Sequence, residues 1–470
     1  MGRGQAGQGE GSFLLLSSLD KGLGEKMLFG TAGIRGPTDT KVTPAMCLAM
    51  GESIATYFSK KGYSSAVVAS DGRTHSDSLK ASMEAGLMYR GINISDIGRV
   101  PTPVAAYASR LLKAPAVVMT ASHNPAIDNG IKVFCEGIEI SSCDEAAIES
   151  IFETHDFSRY EWARCGTLSS RSVSEEYMAS VLGYVLRFFP DASLQGMTII
   201  VDGGNGVGPM ILESLFSRLG ATVIGINDHA SGMFPGRPSE PSPENLYGAI
   251  ALSDRIHPDV VIAQDGDADR MQLYVPGYGF VPEDTLLAFF ADFYSVSGDT
   301  VVLSIDTSLR SDHVLEKKGV MVERVPLGYL QHGLKKYGPS FAGEPWKHIH
   351  PRLGPWIDGI ASAVMMALFL SSRGPDKLFA HIPVYKYKKV NMPLGSVSAE
   401  NILGRLGKWA ESAPDVASVD RTSGIRVNLL DGSWVLVRPS GTEPKLRAIV
   451  EGTTRKRYEE LQDMLNTIME

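Results

Sequence analysis

Thr198-Ile199-Ile200-Val201-Asp202-Gly203-Gly204-Asn205-Gly206 is the stretch that decides the fold. The first four residues read as a short buried strand, and the Gly-rich run turns the chain into a helix predicted over residues 207–219. Ala221–Ile226 then reads as the next strand. Strand, helix and strand in that order predict an α/β unit whose parallel sheet is covered on both faces. Gly204-Asn205-Gly206-Val207-Gly208 lacks the G-x-G-x-x-G spacing of a dinucleotide site.

The same alternation recurs on either side. Upstream, Ala66–Ala69 and Ala116–Met119 read as strands, with helices over residues 76–90 and 144–153. Downstream, Val260–Ala263, Val301–Ile305 and Val320–Val325 read as strands, and residues 283–294 and 358–371 as helices. A last part opens with a Lys-rich strand, Tyr385–Val390, and ends with a strand pair, Trp434–Val437 and Leu446–Val450, and a terminal helix. A chain of 470 residues is too long for one hydrophobic core. The predicted division is a disordered tail over 1–26 and domains over 27–168, 169–275, 276–380 and 381–470. Three are similar α/β units, and the fourth is a smaller α+β unit.

Composition narrows the function. Apolar residues make up 43% and charged residues 21%, as in soluble globular enzymes. The net charge of -8 argues against nucleic acid as a partner. Cys47, Cys135, Cys143 and Cys165 show no CxxC pair, so reduced thiols are expected. Ile360–Leu370 is too short to span a bilayer. A cytoplasmic protein without a membrane partner, monomeric or homo-oligomeric, is predicted.

Four polar segments carry the chemistry. Thr120-Ala121-Ser122-His123-Asn124-Pro125 follows the strand Ala116–Met119, and its turn lifts Ser122 off the strand end. Asp265-Gly266-Asp267-Ala268-Asp269-Arg270 places three carboxylates where they repel one another unless a cation lies among them. Oxygen ligands favour a hard ion such as magnesium. An EF-hand would need Gly where Arg270 stands and Glu where Pro276 stands. Arg438-Pro439-Ser440-Gly441-Thr442-Glu443-Pro444 is rich in donors and suits a phosphate, with Arg447 as a second cation. No G-x-x-x-x-G-K-[ST] sequence is present, so an ATP-binding P-loop is excluded. Gly343-Glu344-Pro345-Trp346-Lys347-His348 is a polar loop with an acceptor, an aromatic platform, a cation and an imidazole, a set suited to a sugar.

In this order the four segments resemble those of the α-D-phosphohexomutase superfamily, which includes phosphoglucomutase/phosphomannomutase and phosphoglucosamine mutase. The resemblance runs from about residue 28 to the end. It implies four domains with mixed sheets around a central cleft, and an intramolecular phosphotransferase. It implies that Ser122 carries the phosphoryl group and completes a magnesium site with Asp265, Asp267 and Asp269. Arg270, and Arg35 in Phe29-Gly30-Thr31-Ala32-Gly33-Ile34-Arg35-Gly36, would sit near that phosphoryl group. Lys132 matches a lysine proposed for acid–base or electrostatic work. Arg438, Ser440, Gly441 and Thr442 match the loop that holds the substrate's other phosphate. His123, Lys132 and His348 are candidates for proton handling, with His123 alternatively orienting its loop.

The resemblance implies a hexose phosphate whose phosphoryl group moves between the C1 and C6 hydroxyls, with a bisphosphorylated sugar as intermediate and activator. This chain departs from the family in the sugar loop. Trp346 and Lys347 replace the Ser and Gly of Gly-Glu-x-Ser-Gly-His, while Glu344 and His348 keep their spacing. Val325-Pro326-Leu327-Gly328-Tyr329 also differs from the usual specificity loop, which makes Gly328 and Tyr329 substrate-contact candidates. Glucose, mannose, glucosamine and pentose phosphates stay open as substrates. A metal-dependent sugar phosphatase is the further alternative.

Overall fold

The computed structural model describes residues 28–30, 33–159, 161–393, 398–439 and 445–469. The tail expected over 1–26 lies outside them, as do Ser440, Gly441 and Thr442. Among the described residues, four sheets, of seven, five, four and five strands, follow one another along the chain.

The first three sheets share one plan. In the second, Thr198–Asp202 lies between Thr222–Ile226 and Val260–Gln264, all parallel, and Met271–Val275 returns antiparallel against Val260–Gln264. In the first, Ser65–Ser70 lies between Asn93–Arg99 and Ala116–Met119, all parallel, and Asp128–Cys135 returns antiparallel. In the third, Thr300–Ser304 lies between Met321–Val325 and Phe341–Glu344, and Lys347–Ile349 returns antiparallel. The sheets are therefore mixed, as the family resemblance implied, rather than parallel throughout as the strand–helix alternation alone suggested. The connections over 120–127, 265–270 and 345–346 are too short for a parallel crossover, which takes about a dozen residues or more, so each returning strand must run antiparallel. Three of the four polar segments of the sequence lie on these tight returns.

Two boundaries differ from expectation. The first sheet extends to Leu168–Ser170 and the second to Gly279–Val281, because these edge strands pair backward onto Asn93–Arg99 and Met271–Val275.

One apolar core runs through the first three sheets, from Val67 and Val118 through Ile199 and Ile262 to Leu303 and Phe341. Helix Gly359–Ser372 threads it, and its first eleven residues are all buried. Its N-cap, Asp358, accepts hydrogen bonds from Ala361 N (2.8 Å), Trp356 Nε1 (2.9 Å) and the buried Tyr177 hydroxyl (2.8 and 2.9 Å). This joins the third sheet's helix to helix Ser174–Val185, which packs against helices Thr102–Leu112 and Pro209–Arg218. The N-terminus of the 359–372 helix also abuts the acidic loop. A Cβ on Gly359 would come within 2.8 Å of the Arg270 carbonyl group and 2.9 Å of Ala268 O.

The fourth sheet, antiparallel throughout, has a separate core built from Ile402, Leu406, Val427, Val437 and Leu461. Glu451 fastens it to the third sheet, accepting from Leu309 N (2.9 Å), Trp434 Nε1 (2.6 Å) and the Ser308 hydroxyl. Arg426 stacks on Trp434 at 3.8 Å and donates to Ile305 O. Among the described residues, no helix is long and apolar enough to cross a membrane.

Asp358→Ala strands two buried donors, Tyr177 Oη and Trp356 Nε1, and removes the helix cap. The expected loss is about 3 kcal/mol or more, read as a lower melting temperature at fixed scan rate. An unchanged melting temperature would show that this network does not hold the sheets together.

Candidate active site

Ser122 stands just past the end of the strand Ala116–Met119 with φ at 52°, a left-handed conformation that costs a serine strain unless its surroundings hold it. Its N–H donates to Thr120 Oγ1 (2.9 Å). The wholly buried Arg73 braces the rest of the loop from beneath. Its guanidinium donates to Ser122 O (2.8 Å), Asn124 O (2.7 Å), Pro125 O (2.6 Å) and Asp128 O (2.8 Å), and pairs with Asp71 at 3.1 Å. A buried charge is tolerated when paired and fully hydrogen-bonded.

The acidic loop closes against this serine loop. Ser239 Oγ donates to Ser122 O (3.0 Å) and accepts from Gly266 N (3.0 Å), so one hydroxyl joins both. Gly266 is required there, since a Cβ would lie 2.9 Å from Ser122 O. Asp265, Asp267 and Asp269 are buried, with carboxylate oxygens within 4.8 Å of one another.

The oxygens divide cleanly. Asp265 Oδ2 accepts from Ser122 Oγ (2.7 Å) and Oδ1 from Arg270 N (3.1 Å). Asp267 Oδ2 accepts from Lys132 Nζ (2.7 Å) and Thr102 Oγ1 (2.6 Å), and Asp269 Oδ2 from Lys132 Nζ (2.8 Å). Asp267 Oδ1 and Asp269 Oδ1 are buried with no hydrogen-bond partner, and Asp269 Oδ1 lies 3.9 Å from Arg270 Nε. Empty buried acceptors of one sign, next to the Ser122 hydroxyl, fit a hard divalent cation such as Mg²⁺.

Charge is unevenly distributed here. Burial, then the neighbouring Asp269 and Asp267, raise Asp265 well above the usual carboxylate range. Burial works the same way on Asp269, but Lys132, Lys347 and Arg270 outweigh it and hold Asp269 low. Burial opposes the charge on Lys132, yet Asp267 and Asp269 raise it above the ordinary lysine value, so its ammonium persists. Lys132 is therefore a fixed cation rather than a waiting base.

Arg35 lies opposite Gly130 in the ladder, on the sheet face that also carries Lys132. It donates to Asn124 Oδ1 (3.3 Å), while its Nε and that of Arg270 are buried without hydrogen-bond partners. Arg270 Nε lies 3.9 Å from both Asp265 Oδ2 and Asp269 Oδ1, beyond hydrogen-bond reach, so both donors suit an anion. Burial, then Arg270, Arg35 and Lys347, lower His123, so its imidazole is neutral. Nδ1 lies 3.5 Å from Ser122 Oγ, farther than Asp265 does.

The segment expected to be a polar loop is a tight hairpin in which Trp346, at φ 66°, makes the turn. Glu344 and Lys347 are cross-strand partners on one face, 3.3 Å apart at Nζ and Oε2, and Glu344 Oε1 accepts from Gly328 N (2.8 Å). Trp346 Nε1 donates to Gln272 Oε1 (2.9 Å). Tyr329 is 42% exposed, with its hydroxyl 3.4 Å from Ser142 Oγ. The hairpin corrects the expectation for His348. Paired with Gly343, it projects from the opposite face, is wholly buried, lies 3.1 Å from Ser362 Oγ and packs on Phe290. Burial pushes it down to about 3, so it neither meets a sugar nor exchanges protons near neutral pH.

In the fourth sheet Arg438 and Arg447 are direct cross-strand partners. Like charges so placed repel. Arg438 Nε and Nη2 and Arg447 Nε are buried without partners, and burial, with repulsion from Arg447, lowers Arg438. This pair is arranged for an anion. Glu344 lies close enough to support the Arg438 charge, which connects the hairpin to this arginine pair.

Sequence reasoning did not single out Arg73, Thr102, Ser239 or Gln272. A signal existed for Arg73, since Asp71-Gly72-Arg73 leaves the carboxyl end of a buried parallel strand, where α/β sheets place their sites. The other three act across domains and leave no local pattern.

Comparison with known proteins gives a consistent result. The chain matches the phosphoglucomutase/phosphomannomutase α/β/α domain I over residues 26–159, domain II over 175–277 and the C-terminal domain over 400–468. It is 39% identical to a phosphopentomutase of Thermococcus kodakarensis, over 93% of this chain and 96% of that protein. It is 35% identical to a probable phosphoglucosamine mutase of Methanothermobacter thermautotrophicus, over 92% and 95%. The crystal structure of a phosphoglucomutase/phosphomannomutase family protein from Burkholderia thailandensis superposes with a TM-score of 0.84 at 22% identity, covering 95% of this chain and 97% of that one.

Magnesium at a hundred times its Kd should stabilise the protein by about 2.7 kcal/mol over an EDTA-treated sample. Asp269→Asn should abolish that shift in a melting experiment. A shift that survives the substitution would move the metal elsewhere.

Proposed function

This chain belongs to the phosphoglucomutase/phosphomannomutase family of intramolecular phosphotransferases, and on that premise we propose that a phosphorylated Ser122 relays the phosphoryl group between two hydroxyls of a sugar phosphate. The carrying observation is the pair of separate anion sites. One is formed by the empty donors of Arg35 and Arg270 beside Ser122, the other by Arg438 and Arg447. A bisphosphorylated sugar needs both, whereas a sugar phosphatase has no use for the second.

Arg73 and Thr120 hold Ser122 Oγ outward at the acidic loop. Mg²⁺ held by Asp265, Asp267 and Asp269 would neutralise charge on the transferring phosphoryl oxygens. Arg35, Arg270 and the ammonium of Lys132 add fixed positive charge around the same group, and such preorganised charge drives phosphoryl transfer. The sugar 1-phosphate receives the phosphoryl group of Ser122 on its distal hydroxyl. The resulting bisphosphate turns over, exchanging its phosphates between Ser122 and the arginine pair, and returns the other phosphoryl group to Ser122. Ser440, Gly441 and Thr442 complete the second anion site in this reading.

The sugar is a pentose phosphate in the reading we favour. Trp346, pinned by Gln272, and Lys347, paired with Glu344, fill the hairpin where the family has two small residues, and so shorten the space for the ring. The relative at 39% identity is named a phosphopentomutase. A hexose phosphate, glucosamine phosphate above all, is the second reading, supported by the name of the relative at 35%.

The test is a panel of ribose, glucose, mannose and glucosamine 1-phosphates with Mg²⁺ and a trace of the matching bisphosphate. Ribose 1-phosphate should turn over fastest, and a faster hexose would overturn the pentose reading. Ser122→Ala should lower every rate by about three orders of magnitude or more, and substantial residual transfer would rule out the relay. Trp346→Ser should raise the hexose-to-pentose ratio about tenfold. Equal changes across the panel would remove the hairpin from sugar selection.

A further inference from the structure

Glu139 belongs to none of the four polar segments, yet its side chain faces the site. The short strand Ile138–Glu139 pairs with Asp128–Cys135 so that Glu139 lies opposite Phe134. Antiparallel partners share a face, and alternate residues along a strand return to it, so Glu139, Phe134 and Lys132 project together. These three, with Asp269, Gln331 and Lys347, line one cavity between the first and third sheets at the acidic loop.

Glu139 Oε1 is buried and has no hydrogen-bond partner. The nearby ammonium groups are engaged elsewhere, Lys132 by Asp267 and Asp269 and Lys347 by Glu344. Burial raises Glu139 above the ordinary carboxylate range, while Lys132, Lys347 and Arg35 pull the other way. The wall thus offers an empty acceptor flanked by cations that are already paired. A phosphate would be repelled by this carboxylate, whereas a hydroxyl hydrogen would satisfy it.

We propose that Glu139 is a specificity-determining residue whose free carboxylate oxygen accepts a hydrogen bond from a ring hydroxyl of the bound phosphosugar. It reads the sugar from the wall opposite the Glu344–Lys347 hairpin and sets which ring face meets Ser122. The inference rests on the phosphosugar reading above.

The experiment compares wild type, Glu139→Leu and Glu139→Gln on ribose 1-phosphate and its 2-deoxy and 3-deoxy analogues, with melting temperature as the control for folding. If the wild type takes only a hexose, the matching deoxyhexose series is used. Glu139→Leu should lose on the order of tenfold or more in kcat/KM with the full sugar, mainly through KM, and little with the one analogue that lacks the contacted hydroxyl. Glu139→Gln, whose amide oxygen still accepts, should recover part of the loss. Equal losses on all three sugars, or no loss at all, would overturn the role of Glu139 and leave the phosphosugar reading intact. A folded wild type inactive on every sugar would overturn the phosphosugar reading first, and the role of Glu139 with it.

Discussion

Three carboxylates buried within 4.8 Å of one another are the constraint around which this molecule is built. Asp265, Asp267 and Asp269 would drive their loop apart without compensating charge. The compensation comes from outside the second sheet. Lys132 of the first sheet neutralises two of them, and Thr102, also in the first region, caps one of the same oxygens. Ser122 itself donates to the third. The acidic loop thus joins two regions, and two of the partners that keep it folded, Ser122 and Lys132, are the groups to which the proposed function gives the phosphoryl transfer.

The shared plan of three sheets explains how such distant residues converge. Each sheet ends its parallel run on a strand that turns back antiparallel, and each return bears one polar segment: the Ser122 loop, the acidic loop and the Trp346 hairpin. A common apolar core fixes these returns relative to one another. The fourth sheet has its own core and joins the third region through Ile305, Leu309 and Leu327, which pack with Trp434, Leu436 and Ile449, beside the polar contacts at Glu451 and Arg426.

Much of this was legible in the sequence because local rules govern it. The buried strands Thr198–Asp202, Ala116–Met119 and Val260–Gln264 fall within a residue of their expected bounds. The antiparallel returns were not foreseen in the α/β alternation, since direction depends on connection length and on which strands become neighbours. Edge strands such as Leu168–Ser170 carry no strong apolar signal and were assigned to no sheet. His348 was misplaced for a geometric reason. Conserved spacing from Glu344 says nothing about face, and a two-residue turn sends neighbours of opposite parity to opposite sides. Glu139 was invisible because its meaning lies in burial and an unfilled hydrogen bond, and Arg73 left only its place after a buried parallel strand as a signal.

The central claim is that Ser122 carries the phosphoryl group through the reaction. The most direct measurement is peptide mass spectrometry of the protein after incubation with Mg²⁺ and a bisphosphorylated sugar labelled with ¹⁸O in its phosphates, followed by a chase with unlabelled sugar monophosphate. The account predicts labelled phosphate on Ser122 alone, lost to the sugar on the timescale of turnover. Label on another residue, or label on Ser122 that the chase does not remove, would contradict it.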